Sequence, residues 1–113
     1  MSKAVTAIVV LSGLALAGCD PAGGGGVDSN LECAALISSA DMLVRNGNAE
    51  KDPVLAKRGL VTSMSYLAAY AIPKRIKEPE AFEQVKSLRA TLINSHPPGE
   101  IVRRAKVCAE RRP

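Results

Sequence analysis

From Leu31 onward the apolar positions recur three or four residues apart, the period of an α-helix rather than the alternation of a strand. The first helix is predicted from about Leu31 to Arg45. It gathers Cys33, Leu36, Ile37, Ala40, Leu43 and Val44 on one face, with Ser38 and Ser39 on the polar side and Asp41 and Arg45 as an i, i+4 pair. Asn46-Gly47-Asn48 ends it, because Gly and Asn accept the left-handed backbone past a helix end. The second opens at Asp52-Pro53, a capping residue followed by proline, and Pro73 stops it. Its expected buried face holds Ala56, Leu60, Val61, Met64, Leu67, Ala68 and Ala71. The third starts near Pro79, places Glu80 at the positive end of the helix dipole, and buries Phe82, Val85, Leu88, Leu92 and Ile93. Ser95-His96-Pro97-Pro98 breaks the chain again. The fourth, from about Gly99 to Arg111, sets Ile101, Val102, Ala105, Cys108 and Ala109 against a basic side of Arg103, Arg104, Lys106 and Arg111. The expected fold is all-α: a small antiparallel bundle of about four helices over residues 31–113.

The N-terminal part has a different pattern. Met1, Ser2 and Lys3 carry one positive charge, and Ala4 to Ala17 then run without any. That run is too short for a bilayer span, which takes roughly 20 apolar residues, and it suits the apolar region of an export signal. It ends in Leu16-Ala17-Gly18-Cys19. Small side chains at Ala17 and Gly18 leave the backbone open to a peptidase, and a thiol is what a diacylglycerol thioether requires. The segment resembles the signal peptide and lipobox of bacterial lipoproteins. The competing reading is a buried helix that happens to finish in a cysteine. The resemblance implies that residues 1–18 are removed and that Cys19 becomes the lipidated first residue, the covalent lipid being the only added group expected. It further implies a protein anchored in the bacterial envelope and facing the periplasm, with Asp20 favouring retention at the inner membrane.

Residues 19–30 then form a tether. Asp-Pro-Ala-Gly-Gly-Gly-Gly-Val-Asp-Ser-Asn offers almost nothing to bury, and glycine is costly to order. Chain statistics give these residues a reach of roughly 17–20 Å. A phosphate-cradling loop would need a preceding strand and a Lys-Ser/Thr pair, and the sequence supplies neither.

With one Phe, two Tyr and no Trp, a domain of this size has a modest core and calls for a staple. Cys33 and Cys108 are the pair left once Cys19 carries lipid. An up-down-up-down layout brings the start of the first helix beside the end of the fourth, so a Cys33–Cys108 disulfide is expected. Two separate buried thiols, or a redox-active pair, are the alternatives, and the second lacks any Cys-x-x-Cys motif.

The residues carry no catalytic pattern, and no catalytic activity is expected of them. His96, the one histidine, sits between a serine and two prolines, and nothing in the sequence brings it to Ser38 or Ser39. The acids are scattered, so no metal is expected, and a c-type haem motif is missing. Tyr66 and Tyr70, one turn apart, offer a possible ligand groove; packing at the core edge with hydroxyls in water is the plainer expectation.

Removal of Lys3 leaves 14 basic side chains against 11 acidic ones, a mild surplus. The basic clusters are Lys74-Arg75-Lys77 and Arg103, Arg104, Lys106, Arg111 and Arg112. They read as a solvated face, with anionic lipid head groups as the alternative contact. Export and the scarcity of aromatics argue against nucleic acid. The sequence therefore points to a non-enzymatic, membrane-anchored module that binds another envelope component, expected to be a protein. A small envelope-stress or chaperone-like factor is the alternative, by loose analogy with small single-disulfide helical periplasmic chaperones; a small-ligand carrier is the third.

Overall fold

The computed structural model describes residues 27–113, so Leu16, Ala17, Gly18, Cys19 and Asp20 lie outside the described residues. Within that span are four helices: α1 (Ser29–Arg45), α2 (Pro53–Lys74), α3 (Glu78–Ser95) and α4 (Pro98–Arg111). Local chemistry sets their ends. The Asp28 carboxylate accepts from the backbone of Asn30 at 2.8 Å and Leu31 at 3.3 Å, so α1 begins at Ser29 and takes in residues that the composition assigns to the tether. Asp52 caps α2 in the same way, through Val54 at 2.9 Å and Leu55 at 3.2 Å. Gly47, at a φ of 77°, takes the left-handed turn after α1. Pro73 does not stop α2 but sits in its last turn; the stop comes at Arg75, whose φ of 57° is left-handed.

The helices form a small bundle with α1 at its centre. α1 packs on each of the other three, α2 also meets α4, and α3 touches α2 and α4 only sparingly. Asp28 beside Lys74 and Ile37 beside Gly59 make α1 and α2 antiparallel. Because α1 is covered on several sides, its burial exceeds a single face: Cys33 through Ile37 are all buried, as are Ser39, Ala40 and Leu43. Ser39 is not on a polar side. It is fully buried, and its hydroxyl donates to the Ala35 carbonyl at 2.7 Å, which satisfies it inside the core. Val44 is only half-buried.

α4 follows its pattern, burying Ile101, Ala105, Cys108 and Ala109. Cys33 and Cys108 are joined as a disulfide with their Cα atoms 5.6 Å apart, so the first turns of α1 are stapled to the last turns of α4. α3 buries Ala81, Val85 and Leu92 and half-buries Leu88 and Ile93, while Phe82 stands 46% exposed.

α2 departs most from its pattern. Of the expected face only Leu67 and Ala71 are buried; Leu60 is 75%, Val61 70% and Met64 55% exposed, and Ala56 and Ala68 are also exposed. The helix turns inward instead through Gly59, Thr62, Tyr66 and Tyr70. Both tyrosines have somewhere to put their hydroxyls. Tyr66 donates to the Cys108 carbonyl at 2.7 Å, and Tyr70 to the side-chain oxygen of Gln84. An aromatic side chain removes on the order of 150–250 Å² from water, more than a valine, so the tyrosine face wins the core once its polar tips are satisfied. Gly59 lies on this inward side and faces Ile37 of α1. The hydroxyls are thus held by protein acceptors rather than water.

Candidate functional site

The sparse contact between α2 and α3 leaves a groove of about 680 Å³. Its floor is α1, through Ala34, Ile37, Ala40 and Val44. One wall is α2, with Leu55, Gly59, Leu60, Met64 and Leu67; the other is α3, with Phe82 and Val85. The small floor residues Ala34 and Ala40 and the bare backbone at Gly59 give it depth, while the exposed Leu60, Met64 and Phe82 give it apolar lips. From Ala34 to Arg45 the floor runs about 16 Å at ~1.5 Å per residue, the length of three helical turns.

The rim is basic. Arg45, Lys51, Lys86 and Arg89 stand around it against Asp41 and Asp52. Asp41 is taken up by Arg45, and Asp52 caps α2 with Lys106 3.9 Å away. Lys86 pairs with Glu83 at 3.1 Å. Arg89 donates to the Ser38 hydroxyl at 2.9 Å. Among the described residues neither Arg89 nor Lys51 pairs with a carboxylate, so the rim carries two cations able to meet an incoming acid. The groove thus combines apolar walls with a basic edge.

The tyrosines are elsewhere. Tyr66 lies in the core between α2 and α4, and burial pushes its phenol above the usual range. Tyr70 edges a shallow depression of about 590 Å³ with Leu31, Lys74 and Glu80, and the Lys74 ammonium stands 4.9 Å from its ring centre. Both therefore serve the packing of α2, and Tyr70 also edges a surface depression. His96 neighbours Ser95 at 3.1 Å and Arg104 at 3.4 Å, while Ser38 and Ser39 are engaged by Arg89 and Ala35.

At the opposite end of α1, burial raises the Asp28 carboxyl, but the Lys74 ammonium and the amides of Asn30 and Leu31 outweigh it and hold the group below its ordinary range. Glu100 is lowered chiefly by its hydrogen bond from Arg103.

Sequence reasoning missed the groove because it assigned Leu60, Met64 and Phe82 to the core. A signal for it was present: α2 carries apolar residues on more of its circumference than one partner helix can cover, with Gly59, Tyr66 and Tyr70 on one side and Leu60, Val61 and Met64 on another. No known protein family, curated protein or solved structure matches this chain.

Proposed function

We propose that the chain is a lipid-anchored, non-enzymatic binding module of the bacterial envelope, and that the α2–α3 groove takes the apolar face of an amphipathic helix with acidic flanks. The groove carries the reading. Its length matches three turns of helix, its walls are apolar, and Lys51 and Arg89 wait at its edge for carboxylates. The lipobox-like Leu16-Ala17-Gly18-Cys19 and the glycine-rich tether supply the anchor. A tethered domain needs only modest intrinsic affinity for a partner in the same membrane, because the tether raises the effective concentration.

The test is a photo-crosslinking residue at Leu60 in cells, with the crosslinked peptide read by mass spectrometry. The expected adduct is a helical segment bearing Asp or Glu beside its apolar face, lost in a Lys51→Glu/Arg89→Glu variant. Adducts that persist unchanged in that variant, or none at all, overturn the groove as a helix-docking site.

A further inference from the structure

α2 has a second free face, about a quarter turn round the helix from the groove wall at 100° per residue, with Met64 between the two. Val61, Met64, Ala68 and Ile72 follow one another at spacings of three and four residues, and Val61 is 70% and Ile72 73% exposed. The same line continues to Lys57 at one end and Arg75 at the other, both exposed. Between Pro53 and Lys77 the sequence contains Lys57, Arg58, Lys74, Arg75 and Lys77 and not one Asp or Glu. The surface is convex: a single helix ridge, not a cleft.

We infer that this ridge rests on an anionic lipid surface. The inference rests on the lipid-anchor reading and adds which face of the domain meets the membrane. A convex apolar stripe with exposed cations in line at both ends, on an element without acids, is complementary to an anionic head-group layer. A protein partner or a second copy fits less well. Antiparallel pairing of α2 with its own copy along this ridge would set Lys57 near Arg75 of the other chain, basic against basic. One apolar ridge of four residues is also a weak membrane ligand alone. The tether makes it sufficient, since the acyl anchor already holds the domain within the tether's short reach of the head groups.

The experiment uses the full lipoprotein with Ala68→Cys carrying an environment-sensitive fluorophore, and Ala90→Cys on α3 as the exposed control. Cys33 and Cys108 are disulfide-bonded, and acylation blocks Cys19, so one thiol reacts. The protein is reconstituted in phosphatidylcholine vesicles with or without phosphatidylglycerol. The Ala68 probe is expected to shift blue and to be quenched severalfold more than the Ala90 probe by lipids bearing a nitroxide, in the phosphatidylglycerol vesicles only. Lys57→Glu/Lys77→Glu should abolish the difference. Equal quenching at the two positions overturns the proposal, as does equal burial in neutral vesicles. A blue shift in solution before vesicles are added assigns the stripe to a second copy and overturns it too. Intact mass of the same sample reports acylation separately. An unacylated chain, which takes a second label at Cys19, refutes the anchor; a Cys19→Ser version whose Ala68 probe still buries in added anionic vesicles then keeps the ridge.

Discussion

α1 and α2 are both rich in apolar residues, yet the bundle treats them in opposite ways. α1 is enclosed by three neighbours, and its middle turns are buried nearly all round. α2 commits one side, that of Tyr66 and Tyr70, and leaves Leu60, Val61, Met64 and Ile72 in water. The contrast separates two meanings of a hydrophobic residue. In α1 it is structure; on the outward side of α2 it is surface kept apolar at no benefit to the fold. Exposed apolar residues contiguous along a helix are uncommon on a self-sufficient domain, and the proposed docking surfaces rest on them.

Substitutions should separate the two helices by size of effect. Removing the staple is the largest: Cys33→Ala/Cys108→Ala opens a link across 75 positions and should cost up to about 4 kcal/mol by the chain-entropy argument, read from denaturant midpoints under oxidising conditions. Leu36→Ala in α1 should cost about 3 kcal/mol, since Leu36 is 3% exposed and its removal leaves a cavity. Tyr66→Phe, on the inward side of α2, should cost about 1 kcal/mol for the lost hydrogen bond to Cys108. If instead it is neutral, the tyrosine hydroxyl is not what turns α2.

Two smaller effects refine the comparison. Gly59→Ala should stabilise by about 0.5 kcal/mol, because helix propensity favours alanine and the new Cβ would sit 3.4 Å from Ile37, in ordinary contact. The same methyl intrudes on the groove wall, so crosslinking from Leu60 should fall as stability rises. At the start of α1, the Asp28 carboxyl is held below its unfolded value, so its contribution is present above about pH 4 and is lost as pH falls through the folded value. Asp28→Asn keeps most of the cap but not the charge paired with Lys74. The variant and the parent should therefore converge in stability on acidification, which a pH series of thermal melts would show.

Much of the fold was legible from periodicity and punctuation. Asp52-Pro53, Gly47 and Pro97-Pro98 fall at helix ends because each has one local physical meaning, whereas Pro73 is carried inside the last turn of α2. Cys33 and Cys108 were pairable because four short-looped helices return the chain to its start. The rotation of α2 was not legible. Two candidate faces competed, and the winner depended on acceptors at Cys108 and Gln84 that only the tertiary fold supplies. The same reason hid the groove: its lips are the residues that lost that competition. Ser39 shows the converse, a polar residue entering the core because its own helix offers an acceptor at Ala35.

The outward side of α2 is most directly tested by the stability of Val61→Asp/Ile72→Asp. Both positions are at least 70% exposed, and surface substitutions away from special features lie within about 0.5 kcal/mol of the parent. The denaturant midpoint should accordingly stay where it was. A loss of several kcal/mol would mean that these residues are buried after all, and that α2 faces the core through the stripe rather than through its tyrosines.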